Sequence, residues 1–330
     1  MISALYIEDE VRGHPLVEAI AARFPRAARV ACERYTEVFN PRAQSFRLQK
    51  KRPALILARK FDGLVLPAPN DYGLGGVRNF YFSHMLNCLY DCRYCFLQGM
   101  YRSAHYVLFV NYEDFHDAID RTLVQAPDEN TWFFSGYDCD SLATEPVTRF
   151  VENFLPFFRG RPQAWLELRT KSTQVRALLH AEPFERCVVA FSFTPQETAS
   201  ALEHKVPSVE RRIDAMARLQ ARGWPVGLRF DPLIYRQGFV AQYHRLFAQV
   251  FASIDAGRVH SVSLGPFRVP SGYFHNVVKL YPYEPLFAGP LGESKGMVSY
   301  HADLEQEMTQ RCTDALLEYI DEDLLFSCAP

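Results

Sequence analysis

Three cysteines in one short segment are the residues of this 330-residue chain best suited to metal chemistry. Cys88, Cys92 and Cys95 form a C-x3-C-x2-C run between a predicted strand and a predicted helix. Thiolates bind zinc ions and iron–sulfur clusters. A structural zinc ion usually needs a fourth ligand close by, and His84 and His105 are the near candidates. The run therefore favours a four-iron cluster with one iron free for a substrate or cofactor, and zinc is the alternative.

Short apolar runs alternate with amphipathic segments along the chain. Continuous apolar runs are typical of strands that are covered on both faces. The predicted strands are Ala4–Ile7, Arg29–Cys32, Ala54–Ala58, Asn79–Phe82, Thr131–Phe134, Ala164–Leu168, Val188–Phe193, Val226–Phe230 and Ser261–Leu264. Helical periodicity predicts helices at Glu113–Gln125, Val147–Phe158, Pro207–Arg222 and Leu304–Tyr319.

The order of these elements predicts an α/β fold with a partial barrel. Six strand–helix repeats follow one another from residue 79 onward, and such alternation gives a parallel sheet with right-handed crossovers. Six repeats predict a partial (β/α)6 TIM-like barrel with its active site at the carboxyl ends of the strands. We predict a small N-terminal α/β elaboration in residues 1–75 and the partial barrel with the cluster site in residues 76–270. Residues 271–330 are predicted to form a C-terminal extension with a helical tail.

Composition and charge exclude several classes of protein. The chain is 48% hydrophobic and 22% charged with a net charge of −2, which is typical of globular proteins and excludes disorder and a polycation. No stretch approaches the roughly 18 apolar residues of a membrane helix, and the acidic N-terminus lacks the basic region of a signal peptide. We therefore predict a cytoplasmic monomer without a membrane partner, whose cysteines are thiols or ligands.

Residues 41–60 carry seven basic side chains and no acid. The usual interpretation of such a charge run is a solvated surface. The alternative is a surface that follows a nucleic-acid backbone. Arg47, Lys50, Lys51 and Arg52 are the candidate nucleic-acid contacts under this second interpretation.

Some smaller features carry no predicted role. The segment Gly73–Gly76 precedes a strand instead of following one, so it does not predict a dinucleotide-binding loop. Cys32, Cys187, Cys312 and Cys328 have no partner in any motif. We interpret these four cysteines as structural or incidental.

The segment Cys92–Gln98, with the sequence C-R-Y-C-F-L-Q, resembles the C-x-Y-C-Y-L-Q segment of spore photoproduct lyases, which belong to the radical S-adenosylmethionine superfamily. The resemblance covers most of the chain and weakens after about residue 270. It implies that the three cysteines of the run hold a 4Fe-4S cluster that binds S-adenosyl-L-methionine and generates a 5′-deoxyadenosyl radical. It also implies a radical SAM lyase that repairs a methylene-bridged thymine dimer in DNA, with an electron donor such as flavodoxin or ferredoxin.

Further positions match that family in order, at or just after predicted strand ends. Cys139 and Ser141 match its C-x-S motif, and the resemblance implies that Cys139 returns a hydrogen atom to the substrate radical. Ser141, Lys171 and Ser192 match residues that bind S-adenosylmethionine, and Tyr94 matches a tyrosine implicated in radical transfer. The chemistry is suitable, because an ammonium neutralises a carboxylate and hydroxyls both donate and accept hydrogen bonds. Without the resemblance, Cys139 would be interpreted as a small buried hydrophobic residue and Lys171 as a surface residue.

Two positions depart from the family pattern. The family has tyrosine on both sides of the last cluster cysteine, whereas here the second position is Phe96. Phenylalanine has no O–H group and cannot take part in hydrogen-atom transfer, which bears on regeneration of S-adenosylmethionine and on the choice of substrate. Near Gly296–His301, where the family has a lesion-binding hairpin, Tyr300 is present but Ser299 replaces the expected basic residue.

Two other functions are compatible with the sequence. A radical SAM enzyme that acts on a modified nucleotide, a peptide or a metabolite would share the cluster but would not need a basic surface. A zinc-binding nucleic-acid module would use the same cysteines without iron. Lesion-stimulated cofactor turnover distinguishes the first alternative, and an assay for iron, sulfide and zinc distinguishes the second.

Overall fold

The computed structural model describes residues 2–69, 74 and 78–327. The predicted boundary between residues 75 and 76, most of the Gly73–Gly76 segment and Cys328 lie outside these residues. The strands are β1 (Ala4–Glu8), β2 (Ala28–Cys32), β3 (Leu55–Ala58), β4 (Leu66–Pro67), β5 (Arg78–Phe82), β6 (Met85–Leu86), β7 (Asp91–Cys92), β8 (Tyr106–Phe109), β9 (Thr131–Ser135), β10 (Ala164–Thr170), β11 (Cys187–Ser192), β12 (Glu203–His204), β13 (Val226–Leu233), β14 (Val259–Pro266), β15 (Arg268–Pro270), β16 (Leu291–Ser294), β17 (Met297–Tyr300) and β18 (Leu325–Ser327). The helices are α1 (Pro15–Arg23), α2 (Phe46–Lys51), α3 (Leu97–Met100), α4 (Tyr112–Val124), α5 (Glu145–Thr148), α6 (Phe150–Arg159), α7 (Arg176–His180), α8 (Gln196–Leu202), α9 (Val209–Arg222), α10 (Phe239–Phe251), α11 (Ser271–Leu280) and α12 (Ala302–Leu316). Within this described part, none of the helices is long and apolar enough to cross a membrane.

The larger sheet is the partial barrel that the sequence predicts. Its strand order is β18-β14-β13-β11-β10-β9-β5-β4. All neighbouring pairs from β5 to β18 are parallel, and β4 is antiparallel to β5. The six predicted barrel strands are β5, β9, β10, β11, β13 and β14. Because they are parallel, their carboxyl ends lie along one edge of the sheet, and this edge carries the candidate active site.

The C-terminal part of the chain is more varied than the predicted helical tail. The predicted helix at 304–319 is α12, but β15, β17 and β16 also form an antiparallel sheet, and β18 extends the large sheet. The predicted helix Val147–Phe158 is wrong in one respect, because it is divided into α5 and α6. Arg149 separates them with a left-handed backbone (φ 52°), and the Glu145 carboxylate accepts a hydrogen bond from the Val151 N–H group.

The smaller sheet combines N-terminal strands with strands that surround the cysteine run. Its order is β2-β1-β3-β8-β6. The first three strands precede residue 75, whereas β8 and β6 come from beyond it. The side chains of Leu5, Leu57 and Leu108 form its apolar core, and Cys139 packs in the same cluster. The N-terminal elaboration is therefore joined to the region of the cysteine run by sheet pairing and by packing.

The concave face of the partial barrel carries a buried ion pair. Leu166 and Leu168 of β10 pack in the main apolar core, so Glu167 points to the opposite face. Arg229 of β13 donates to Glu167 at 2.8 Å, and Arg169 lies 2.9 Å from the same carboxylate. Burial alone would raise the pKa of Glu167, but the two guanidinium groups lower it to about 2. The ion pair therefore ties the middle strands of the sheet together from within.

Candidate active site

The cysteine run lies in a loop at the carboxyl edge of the partial barrel, and backbone pairing holds it there. Strand β7 within the run pairs antiparallel with β12. The Arg93 N–H group donates to the Leu202 carbonyl at 2.9 Å. Asp91 accepts from Arg93 at 2.6 Å and lies 3.3 Å from the ammonium of Lys50. These contacts fix the loop against α8 and α2.

The three thiols of the run lie near one another. Cys92 is buried, and Cys88 and Cys95 are partly exposed. Burial raises the pKa of all three thiols, and Cys92 and Cys95 raise the pKa of Cys88 further. A bound metal would reverse this effect, because a coordinating thiol is deprotonated. In the described part of the chain, no group of three His, Cys, Asp or Glu side chains is arranged to hold a single metal ion.

Neither of the two histidines considered as a fourth zinc ligand belongs to a metal-binding group among the residues that the structure describes. The His84 ring stacks on Phe150 with centroids 4.1 Å apart. The Nδ1 atom of His105 accepts a hydrogen bond from the Ala54 N–H group at 3.0 Å. The local donor set is therefore three thiols, which suits an iron–sulfur cluster with an open iron better than a four-ligand structural zinc site.

Glu203 is the centre of a buried polar cluster next to the cysteine loop. Its carboxylate accepts from Arg212 at 2.6 Å, from the Thr194 hydroxyl at 3.1 Å and from the Tyr94 hydroxyl. The ammonium of Lys171 lies 4.0 Å away. Burial would raise the pKa of Glu203, but Arg212 and Lys171 hold it below its ordinary value. Two cations thus face one carboxylate, and the excess positive charge suits an anionic ligand group.

Tyr94 and Lys171 are both predicted site residues, and the structure brings them together. Lys171 follows β10, and its ammonium lies 5.6 Å from the centroid of the Tyr94 ring. Burial and the Glu203 carboxylate raise the pKa of the Tyr94 hydroxyl well above its ordinary value, so the phenol is neutral. Ser192 ends β11, and its carbonyl accepts from Arg212 at 2.8 Å. Ser192 therefore lies at the same polar cluster.

Asp140 positions the loop that follows β9. Its carboxylate accepts from the N–H groups of Leu142 and Ala143 at 3.0 and 2.9 Å. It also accepts from the Thr170 hydroxyl at 2.7 Å and from the Lys171 N–H group at 2.6 Å. Asp140 therefore joins the loop containing Cys139 and Ser141 to the end of β10. Sequence reasoning gave Asp140 no role, although aspartate is a residue type that commonly bonds the backbone of a following turn.

Ser141 is held against the end of β9 by a glycine turn. The hydroxyls of Ser135 and Ser141 are 2.8 Å apart. Gly136 between them has a left-handed backbone (φ 85°), and a Cβ atom there would lie 2.5 Å from the Ser141 hydroxyl oxygen. The chain therefore needs glycine at this position to bring Ser141 to the strand end.

Cys139 is buried beside the core of the smaller sheet. Its side chain belongs to the apolar cluster that contains Met85 and Val110. Burial raises the pKa of this thiol well above its ordinary value, and the neighbouring carboxylates of Asp138 and Asp140 raise it further. Cys139 therefore carries its hydrogen at neutral pH. This state suits a hydrogen-atom donor and does not suit a nucleophile.

The four predicted nucleic-acid contacts do not form one surface. Arg47, Lys51 and Arg52 are exposed. The Lys50 side chain is only 12% exposed and pairs with Asp91 of the cysteine loop. Lys50 therefore supports the loop instead of facing solvent.

The structure shows the surroundings of Phe96 and of residues 296–301, the two places where the sequence departs from the family pattern. The Phe96 ring lies 5.7 Å from the ring of Tyr137, which stacks on Tyr81 at 4.3 Å. The hairpin formed by β16 and β17 carries Tyr300, whose hydroxyl accepts from the Tyr235 N–H group at 2.9 Å. A hairpin is therefore present where the family resemblance placed one.

Comparison with known proteins gives the family. The family model described as spore photoproduct lyase matches residues 81–267, which is more than half of the chain. The chain belongs to the spore photoproduct lyase family. The matched region contains the cysteine run, Cys139, Ser141, Lys171 and Ser192.

Known spore photoproduct lyases share limited sequence identity with the chain. The protein from Bacillus subtilis (strain 168) is 24% identical over 177 residues, which are 53% of this chain and 52% of that protein. The protein from Geobacillus sp. (strain Y412MC61) is 22% identical over 169 residues, which are 51% of this chain and 50% of that protein. The matches thus span about half the length of these curated relatives.

Solved structures of spore photoproduct lyases share the fold. A mutant with bound AdoMet and dinucleoside spore photoproduct is 16% identical, with a TM-score of 0.85. A spore photoproduct lyase complexed with dinucleoside spore photoproduct is also 16% identical, with a TM-score of 0.81. Each comparison covers 100% of this chain and 98% of the other. The partial-barrel fold is therefore common to this chain and to these enzymes.

Proposed function

We propose that this chain is a radical SAM lyase that repairs a methylene-bridged thymine dimer in DNA. The main support for this proposal is the position of the cysteine loop next to a buried polar cluster. In a chain of the spore photoproduct lyase family, the cysteine loop meets the polar cluster around Glu203 at the carboxyl edge of the partial barrel. The proposed partners are lesion-containing DNA and a one-electron carrier such as flavodoxin or ferredoxin, and we propose that the protein acts as a cytoplasmic monomer.

Three groups of residues would hold the cofactors. Cys88, Cys92 and Cys95 would bind a 4Fe-4S cluster through their thiolates. Ser141, Lys171 and Ser192 would bind S-adenosylmethionine. Together, the cluster and S-adenosylmethionine supply a 5′-deoxyadenosyl radical, and the protein supplies orientation and exclusion of water.

Lys171 and Arg212 together give the site a positive charge that suits a carboxylate ligand. Glu203 balances one of these two positive charges. The remaining charge would pair with the carboxylate of S-adenosylmethionine, with Lys171 as the more accessible point charge. The Asp140 carboxylate fixes the backbone of Lys171 and therefore the origin of its side chain.

Cys139 would return a hydrogen atom to the substrate. Its S–H bond is weaker than an aliphatic C–H bond, so transfer to a carbon radical is favourable and leaves the unpaired electron on sulfur. Burial keeps the thiol protonated, as this transfer requires. Tyr94, a neutral phenol within the same site, is the proposed radical-transfer residue.

The decisive experiment is anaerobic turnover of a synthetic methylene-bridged thymine dinucleotide. The reconstituted protein receives a chemical reductant and S-adenosylmethionine, and the nucleotide and adenosyl products are identified by mass. The proposal requires the unbridged thymine dinucleotide. The Cys139→Ala variant is the control, since it should form 5′-deoxyadenosine but give an altered nucleotide product.

A second candidate is a radical SAM enzyme with a different substrate, and Phe96 is the observation that favours it. The missing hydroxyl removes one tyrosine of the radical-transfer path that the family resemblance implies. Formation of 5′-deoxyadenosine while the dimer stays intact would support this candidate. Zinc without iron or sulfide in the purified protein would instead support the zinc-binding module.

A further inference from the structure

A groove beside the cysteine loop has no role in the chemistry proposed above. Its volume is about 760 Å³, and we call it the tyrosine groove. Its lining residues are Arg47, Arg93, Ala201, Leu202, His204, Ile234–Gln237, Leu280–Leu286, Gly289, Pro290 and Tyr300. Arg93 lies between two residues of the candidate site, Cys92 and Tyr94. The groove therefore begins one residue away from the proposed cluster ligands.

The tyrosine groove is electropositive. Glu284 is the one carboxylate among its lining residues, against the cations Arg47, Arg93 and Arg236. Arg93 is shared between Asp91 at 2.6 Å and Glu284 at 3.9 Å. Arg47 is exposed, and Arg236 donates to a carbonyl oxygen, that of Glu197. Among the residues that the structure describes, neither Arg47 nor Arg236 has a carboxylate oxygen within 4.0 Å, and the hydrogen-bond partner of Arg236 is the backbone of Glu197. The charge of Arg47 is thus available to a ligand, whereas that of Arg236 is partly balanced by the nearby Glu197 carboxylate.

The same groove presents aromatic rings. Tyr283 is 97% exposed and Tyr235 is 36% exposed. Two further rings are held in place, because Tyr281 lies under the Arg93 guanidinium at 3.9 Å and the Tyr300 hydroxyl bonds the backbone of Tyr235. Exposed rings beside fixed rings provide a surface on which a planar ligand can stack. A positively charged groove with such rings is typical of sites for single-stranded nucleic acid.

We propose that the tyrosine groove binds the single DNA strand that flanks the lesion. Arg47 and Arg236 would contact phosphates, and a base would stack on Tyr283. This inference rests on the proposed function and adds the place where the substrate strand lies. Chemistry on a base requires that the nucleotide leave the duplex. A strand in this groove, which Arg93 of the cysteine loop lines, would keep the displaced nucleotide near the site.

The groove also accounts for the basic stretch predicted from the sequence. Arg47 is the member of that stretch that lines the groove, whereas Lys50 forms an ion pair with Asp91. Arg236 lies in the segment that follows β13, far along the chain. The nucleic-acid surface is therefore assembled from separate segments and does not follow residues 41–60.

The test measures binding of a fluorescent, lesion-containing single-stranded oligonucleotide to the reconstituted protein over a range of salt concentrations. The variants are the pair Arg47→Gln with Arg236→Gln, and Tyr283→Ala alone. We expect Tyr283→Ala to raise Kd about 10-fold or more, because stacking is lost. The double variant should lower the slope of log affinity against log salt by about one for each arginine.

Three controls accompany these variants. Tyr283→Phe retains the ring and should retain the affinity. The double substitution of the exposed Arg26 and Arg29 to Gln removes the same charge outside the groove and should leave the salt slope unchanged. Turnover of the bridged dinucleotide by the unmodified protein, which needs no flanking strand, tests the proposed function separately.

The outcomes are distinct. Groove-dependent binding without dinucleotide repair would support the groove and overturn the repair function. Equal binding by all variants would overturn the groove, as would a loss of affinity only when Lys51 and Arg52 are replaced by Gln. If the groove variants bind DNA normally but raise the KM for an acidic flavodoxin-type carrier, the groove serves that carrier and our inference is wrong.

Discussion

At the scale of single residues, the candidate site depends on one carboxylate that holds several chemically important side chains. Glu203 bonds Tyr94 and Arg212 and lies near Lys171. The sequence predicted Tyr94 and Lys171, because they match a family motif. It did not reveal Glu203 or Arg212, because their role depends on partners that are brought together only by folding. In the sequence, Glu203 and Arg212 look like ordinary charged residues in or next to a helix, and no motif marks them as site residues.

We expect Glu203→Gln to destabilise the protein by about 3–5 kcal/mol. The substitution keeps the shape of the side chain but leaves the buried Arg212 without its opposite charge. Denaturant unfolding of the cluster-free protein measures the change. Tyr94→Phe is the matched control, since it removes one hydrogen bond to the same carboxylate and should cost about 1.5–3 kcal/mol. An equal loss in both variants would show that the ion pair is not the main contribution.

Cys139 should resist alkylation in the folded protein. Its thiol is buried and its pKa is raised, so very little of the reactive thiolate is present near pH 8. Treatment with iodoacetamide, followed by mass analysis of the peptide that contains Cys139, measures the rate. The same chain unfolded in urea is the control and should be labelled much faster. Equal rates in the two states would contradict the buried, protonated thiol required for hydrogen-atom donation.

At the scale of elements, the cysteine loop is supported by a close contact between two helices. Helix α3 follows the loop directly and crosses α11 at Gly99. A Cβ atom on Gly99 would overlap the Tyr273 carbonyl oxygen and would lie 2.8 Å from the Val277 side chain. The Asn276 side chain also donates to the Gly99 carbonyl at 3.0 Å. The C-terminal segment therefore helps to determine the position of the loop.

Gly99→Ala should separate these helices and lower the free energy of unfolding by roughly 1–3 kcal/mol, since the extra methyl group has no room. Thermal or denaturant unfolding measures the loss. Gly272→Ala is the matched control on α11, because a Cβ atom there meets nothing within 4 Å. The control should be neutral or slightly stabilising, as alanine favours helix. If both substitutions behave alike, the close contact at Gly99 is not required.

The regular elements were more predictable than the short ones. All nine predicted strands are present in the described part of the chain. Continuous apolar runs identify buried strands such as β3, β9 and β11, whereas β2 is a mostly exposed edge strand. The pairing of β7 with β12 was not predicted, since each contains two residues and no periodicity. The division of the predicted helix at Arg149 was also missed. It depends on a left-handed residue and a Glu145 side-chain bond, which apolar spacing does not report.

At the scale of the whole molecule, the candidate site joins the two sheets. The loop after β9 belongs to the partial barrel by sequence, but Cys139 packs in the core of the smaller sheet. Strand β8, which follows the cysteine run, pairs with β3 of the N-terminal segment. We propose the division of the chain into residues 1–75, 76–270 and 271–330 as an interpretation of its sequence. The shared sheet and shared core indicate that the N-terminal part shapes the site instead of being a separate accessory.

Acid should reduce the stability that buried neutral histidines contribute to the protein, and His84 is the clearest case. Neither ring nitrogen of His84 has a hydrogen-bond partner in the part of the chain that the structure describes, and burial lowers its pKa to about 3. The unfolded chain takes up a proton below about pH 6.5, whereas the folded chain does so only near pH 3. At this group the unfolded state therefore binds more protons between these values, so the contribution of His84 to stability falls as the pH falls through this window. Burial similarly lowers the pKa of His260 to about 4, which adds to the same trend.

The contribution of His84 can be isolated by comparing the pH dependence of two proteins. His84→Phe removes the titrating group and keeps an aromatic ring against Phe150. We expect the free energy of unfolding of the variant to fall less steeply from pH 6.5 to pH 4 than that of the unmodified chain, by about 1.4 kcal/mol per pH unit. Denaturant unfolding at several pH values measures both slopes. Any packing penalty shifts the variant equally at every pH and cancels from the slope. Parallel curves would therefore mean that His84 is already protonated in the folded protein.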